Sequence, residues 1–193
     1  WGTLYSSDGS VIITPENYLT NRINLQAASQ VKAAFHAQQL VSVSNVTGDG
    51  TIYNLGTNGA FTEIYDYGNH FYPGSGTGTK ALFTAPNTGL YLFIVTVLAT
   101  NLTPPVPPPA PITTNRDPNS IVTSNRTYTL INPVMSYTNT DGQQTVTFSA
   151  IADMDANDTA YFQYWLQTSV GTKTIGIGSY YTTISGHFIG API

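Results

Sequence analysis

The sequence predicts an all-β sandwich or jelly roll. Three observations carry this. Short segments rich in Val, Ile, Phe, Tyr and Thr recur along the chain, each bounded by Gly, Asn, Asp or Pro. Helix signals are scarce: only "NRINLQAASQVKAAFHAQQL", residues 21–40, has a helical composition, and it lacks a clear 3.6-residue apolar period. The segment "LYLFIVTVLA", Leu90 to Ala99, breaks its apolar run only at Thr96. A half-exposed strand alternates apolar and polar residues, so this one needs cover on both faces.

The elements follow in order. "GSVIIT" and "RINL" are short strand candidates in an N-terminal arm, residues 1–29, which is too short to bury a core alone. The regular strand spacing begins at about residue 30 and runs to residue 193. Its candidates are "VKAAFHAQ", "TIYNL", "FTEIYDY", "KALFTA", "LYLFIVTVLA", "RTYTLI", "QTVTFSAIA", "TAYFQYWLQ" and "TTISGHFI". No internal repeat is visible. Between Asn101 and Asn119, "NLTPPVPPPAPITTNRDPN" holds seven prolines. Proline fixes φ and lacks the ladder donor, so this stretch reads as a stiff exposed loop or as a ligand for a proline-recognition module.

Composition narrows the function. Hydrophobic residues make up 41% of the 193, enough for a core. Charged residues make up only 8%, against roughly 25% for an average domain. A net charge of -4 with scattered Lys and Arg argues against a nucleic-acid footprint and does not suggest attraction to anionic lipid. The absence of cysteine excludes disulfides, thiolate chemistry and zinc–sulfur sites. No apolar run reaches the roughly 18 residues of a membrane span. The chain starts at Trp1, as a processed chain does.

Several segments in the second half resemble the C1q/TNF-like jelly roll, in its C1q-like branch. "KAAFHA" resembles the first strand, with Phe35 in its apolar slot. "GNHFYPGSGTGTKALFTAPNTGLYLFIVTV" resembles the family's Asn and aromatic, Gly-rich hairpin, Phe-Thr-Ala-Pro and Gly-x-Tyr-x-Phe. "MDANDTAYFQYWL" resembles the segment where an acidic residue precedes an aromatic strand, and "TTISGHFIG" the closing strand, with Ile184 and His187 in place of its two aromatics. The match covers about residues 30–193. "NVTGDGTIYNL", "FTEIYDYGNHF", "SNRTY" and "ADMDANDTA" resemble C1q-like modules at the ends of microbial and phage fibre proteins. The resemblance implies a structural or adhesive role at an extracellular or virion surface, without enzymatic activity. It also implies trimers in which one sheet of each subunit turns inward.

A doubly apolar strand then has a use. Tyr91, Phe93, Val95 and Val97 are expected in the core, and Leu90, Leu92, Ile94 and Leu98 against neighbouring copies. "AYFQYWLQ" behaves alike, with Tyr161 and Trp165 on one parity and Phe162 and Tyr164 on the other. Leu90, Leu92, Ile94, Tyr161 and Trp165, with Val11, Ile12 and Ile13 of the arm, are the candidate self-association residues, because such strands left open would aggregate.

Other constellations are weaker. Asp153, Asp155 and Asp158 offer oxygens for calcium, which some C1q-like trimers bind, or form a solvated acidic turn. Asp49 in "TGDGTIY" reads as a ligand or a tight turn. On a regular strand Glu63 and Asp66 fall on opposite faces, which argues against paired acid–base work. His36, His70 and His187 lack metal-motif spacing, although His36 and His187 are expected near one another across the first and last strands. No convergent acid–base or nucleophile set is present, so no enzyme is expected. Sequons stand at Asn45, Asn101, Asn125 and Asn157, and chance alone gives about three in a chain so rich in Asn, Ser and Thr. Two functions compete. One is a self-associating subunit of a fibre or filament, linked by its arm. The other is a trimeric head that binds a receptor or carbohydrate through aromatic and proline-rich loops.

Overall fold

The computed structural model describes residues 33–102, 119–130, 142–167 and 172–190, with the backbone of two N-terminal strands, Leu4–Tyr5 and Val11–Ile13. The chain divides into two units, Trp1–Lys32 and Ala33–Ile193. In the first, β1 (Leu4–Tyr5) pairs antiparallel with β2 (Val11–Ile13). The "RINL" segment and nearly all of the proline-rich stretch lie outside the described residues. Among the described residues no helix is long and apolar enough to cross a membrane.

The second unit is a sandwich of two sheets. The large sheet places β4 (Val43–Thr47), β14 (Ile175–Ile177), β9 (Gly89–Thr100), β15 (Thr183–Gly190), β3 (Ala34–Gln39) and β6 (Phe61–Tyr67) in that order. Along its other edge β9 pairs with β12 (Gln144–Met154), in unbroken register from Gln144 opposite Ala99 to Met154 opposite Gly89. The small sheet runs β11 (Thr127–Leu130), β10 (Asn119–Thr123), β13 (Thr159–Tyr164), β8 (Leu82–Thr84) and β7 (Phe71–Tyr72), and β5 (Tyr53–Asn54) also pairs with β13. This is the all-β jelly-roll sandwich that the strand spacing predicts.

Alternation explains the faces. Tyr91, Phe93, Val95 and Val97 of β9 are fully buried between the sheets, while Leu90 and Leu92 are half-buried and Ile94 is exposed on the outer side. The core is aromatic. Phe35 stacks on Phe71 at 4.2 Å and on Phe83 at 5.3 Å, and Phe93 meets Phe162 edge-on at 5.6 Å. Such pairs add specificity beyond area burial. The Ala-rich window at residues 21–40 yields strand, not helix, over Ala34–Gln39, because Phe35, Ala37 and Gln39 alternate into the core.

Two expectations are corrected. Leu98 does not face outward. It is buried under the connection between β14 and β15, where Gly178 N–H donates to the Leu98 carbonyl at 2.7 Å. In β6, Ile64 is an extra residue, since His36 stands opposite Tyr65 but Ala37 opposite Glu63. This bulge sets Glu63 and Asp66 both opposite core-facing residues, Ala37 and Phe35, where a regular strand would separate them. Glu63 remains exposed, whereas Asp66 Oδ2 accepts the Phe71 N–H at 2.9 Å, so the two carboxylates hold different surroundings.

Candidate self-association surface

The outer side of the large sheet forms aligned rungs. Tyr67, Ala34, His187, Leu92 and Ile151 stand side by side across five strands. The next rung is Tyr65, His36, Ser185, Ile94 and Ser149, and the third is Thr62, Gln38, Thr183, Thr96 and Thr147. None of these residues is Asp, Glu, Lys or Arg. The face grades from aliphatic and aromatic at one end to hydroxyl-bearing at the other, where Thr96 and Thr147 hydroxyls lie 3.0 Å apart. Ile94 is 38% exposed and Ile151 56%, large fractions for isoleucines mid-strand. The Tyr65 ring lies 5.4 Å from that of Tyr67 and 6.0 Å from that of His36.

The predicted contact residues do not share this face. Leu90, Leu92 and Ile94 are on the outer side of the large sheet. Tyr161 alternates to the outer side of the small sheet and Trp165 follows β13 on the same parity, opposite to the buried Phe162 and Tyr164. Both aromatics have local partners. Lys80 Nζ sits 3.1 Å from the Tyr161 ring centroid. Burial lowers the affinity of that ammonium for its proton. The Trp165 ring packs against Gly50, a residue with φ of 87°, where an added Cβ would lie 3.3 Å from the indole. Its backbone N–H donates to Asn119 Oδ1 at 3.2 Å. Val11, Ile12 and Ile13 form β2 in the other unit, and their side chains lie outside the described residues.

The three aspartates do not gather as a calcium site. Asp153 pairs with Arg126 at 2.9 Å and accepts from the Tyr128 hydroxyl. The Tyr128 hydrogen bond, with Arg126 beside it, holds the Asp153 carboxyl below the usual carboxylate range. Asp158 accepts from Ser124 Oγ at 2.8 Å, from the Asp155 amide at 2.8 Å and from Asn125 Nδ2. Its carboxylate thus ties the β10–β11 turn to the β12–β13 turn. Among the described residues no three His, Asp or Glu side chains converge to hold a metal. Asp49 is likewise a turn residue, since it accepts from Thr51 N–H at 2.9 Å, and hydrogen bonding from Thr51 lowers its pKa. The sequon asparagines Asn45, Asn101, Asn125 and Asn157 are all exposed, and all but Asn125 have positive φ.

A second surface was not legible in the sequence. The β3–β4 loop, Leu40–Ser42, and the β14–β15 loop, Gly178–Thr182, are hydrogen-bonded to one another and their flanks. Tyr180 N–H donates to the Gln39 carbonyl at 2.8 Å, and Ser179 N–H to Ser42 Oγ at 3.0 Å. Together they present Val41, Tyr180 and Tyr181, exposed by 67%, 61% and 68%. Tyr180 holds a φ of 64°, an unfavourable backbone for a bulky side chain. The adjacent Tyr-Tyr pair in a turn was the only signal available.

No protein-family model matches the chain, and no curated protein matches it. Solved structures do resemble it. The globular domain of zebrafish complement 1qA protein is similar with a TM-score of 0.50 at 15% identity, covering 83% of this chain and 99% of that one. Murine APRIL at pH 8.0 is similar with a TM-score of 0.47 at 12% identity, over 82% of this chain and 99% of that one. The vertex protein P5 of PRD1 is similar with a TM-score of 0.43 at 14% identity, over 82% and 97%. Of the three, the complement domain reaches 0.5, and with it the fold is a C1q/TNF-like jelly roll.

Proposed function

We propose that this chain is a self-assembling structural subunit of an extracellular or virion-surface fibre or filament. Its jelly roll packs against copies of itself through the outer face of the large sheet, and the N-terminal arm, residues 1–29, links subunits. The observation that carries this reading is the three charge-free rungs of the outer face, with Leu92, Ile94, Ile151, Tyr65 and Tyr67 at least partly open to solvent and the half-buried Leu90 beside them, opposite Asp153. A contiguous apolar patch of this kind marks an association surface. The C1q-like resemblance supplies the arrangement, a trimer with this sheet turned inward. No catalytic role is proposed.

Size-exclusion chromatography with light scattering, together with negative-stain electron microscopy of the full chain, tests the reading. A homo-oligomer that builds long regular filaments, and loses the filaments but not the folded domain when residues 1–29 are deleted, supports it. A monomer at micromolar concentration overturns it.

The loop tip favours a second reading, a trimeric head that binds a receptor or carbohydrate. An exposed Tyr-Tyr pair beside Ser and Gln is the composition of recognition surfaces. Compact trimers without filaments, and glycan-array signals lost in Tyr180→Ser/Tyr181→Ser, would favour it.

A further inference from the structure

The outer face of the large sheet holds two residues that its apolar character does not explain. His36 on β3 and His187 on β15 lie on adjacent strands and in adjacent rungs, because His36 stands opposite Ser185 and His187 opposite Ala34. Both are half-buried already in the single subunit. His36 Nδ1 is 2.6 Å from Ser185 Oγ, so one ring nitrogen is engaged within the sheet.

Their surroundings contain no acid to balance a proton. From β6 the rings of Tyr65 and Tyr67 face them; from β9 come Leu92 and Ile94; from β12 come Ser149 and Ile151. Asp153, opposite Leu90 at the next position along β9, is committed to Arg126 and Tyr128. Glu63 and Asp66 stand opposite core-facing residues of β3. Lys80 stacks on Tyr161 of the small sheet.

We propose that His36 and His187 make self-association through this face sensitive to pH, with assembly at neutral pH and dissociation in mild acid. The proposal rests on the reading of this face as the contact between copies. Histidine is the side chain that gains charge between pH 8 and 5. A neutral imidazole seated against another copy is an ordinary polar group. A protonated one is an unpaired cation withdrawn from water, at a cost of several kcal/mol if left uncompensated. The sign follows by linkage: the separated subunits bind more protons than the assembly, so association strengthens as pH rises and is lost as pH falls. Protonation at Nδ1 also forces Ser185 Oγ to accept rather than donate. A trimer would place six such imidazoles in its contacts.

The test is sedimentation equilibrium of the full chain at pH 7.5, 6.5 and 5.0 and constant ionic strength. It compares wild type with His36→Gln, His187→Gln and the double variant. For the wild type the apparent dissociation constant per departing subunit is expected to rise about 100-fold from pH 7.5 to 5.0, roughly tenfold for each of that subunit's two imidazoles. Each single variant is expected to keep about half of that response on a logarithmic scale, and the double variant almost none. Near-UV circular dichroism at pH 5.0 is expected to show native subunits. Wild type that stays assembled at pH 5.0, single variants that respond like wild type, or subunits that unfold as they separate would each overturn the proposal. A monomer at pH 7.5 would instead overturn the contact reading, and the switch with it.

Discussion

Gly186 of β15 lies directly under the ring of Phe35 on β3: a Cβ added to the glycine would sit 2.2 Å from Phe35 Cε1. The two residues are cross-strand partners, and the missing side chain lets Phe35 lie flat enough to stack on Phe71 and Phe83. Gly186→Ala is therefore expected to cost about 3 kcal/mol of stability, at the upper end of overpacking. Urea denaturation measures it. Phe35→Leu should recover part of that loss in the double variant, and strict additivity would sink the explanation.

Ile94 and Val95 are neighbours in sequence on opposite faces. Ile94→Asp is expected to abolish association while changing the melting temperature of the subunit by only a few degrees. Val95→Asp buries an unpaired charge and is expected to prevent folding. Light scattering and calorimetry read the two effects separately.

Tyr180 pays a conformational cost at φ of 64°. Tyr180→Gly relieves it and is expected to stabilise the domain by about 0.5–1 kcal/mol, net of the added freedom of the unfolded chain. A lowered denaturation midpoint would show that the ring packs in a way its exposure does not reveal.

Hydrogen bonding from Tyr128 and the charge of Arg126 hold the Asp153 carboxyl below the usual carboxylate range. A depressed carboxylate contributes stability that is present above the unfolded value and lost as pH falls through the folded one. Part of the stability is thus expected to disappear below about pH 4. Asp153→Asn and Tyr128→Phe should flatten that decline in denaturant titrations between pH 5 and 2, and an unchanged profile in both would refute the assignment.

Much of the fold was legible because strand alternation and turn residues act locally. "FTEIYDY" becomes Phe61–Tyr67 without a residue's difference. The short strands Phe71–Tyr72 and Ile175–Ile177 give no periodic signal, being two and three residues long, the first followed by Pro73 and the second interrupted by Gly176. The doubly apolar β9 was legible, but Leu98 was misplaced because only the folded loop reveals its cover. The bulge at Ile64 was invisible for the same kind of reason, since pairing partners define it. That Tyr161 and Trp165 lie on the other sheet from Leu90, Leu92 and Ile94 is not legible in sequence, because apolar content says how much surface a strand buries, not which sheet it joins. The acidic cluster reads in sequence either as calcium oxygens or as a solvated turn, and its partners Arg126, Tyr128 and Ser124 come from strands and turns distant in sequence.

The sandwich has two poles. β3 leaves Ala34 opposite His187, so the chain enters at Ala33 and reaches Gly190 near the same end of the large sheet. The loops carrying Val41 and Tyr180 close the far end, beyond Gln38 and Thr183. The entry and exit of the sandwich and its tyrosine-bearing loops thus lie at opposite ends of the large sheet. A fusion partner at either terminus of the sandwich attaches at one pole, and a peptide grafted between Leu40 and Ser42 is carried at the other, clear of the attachment.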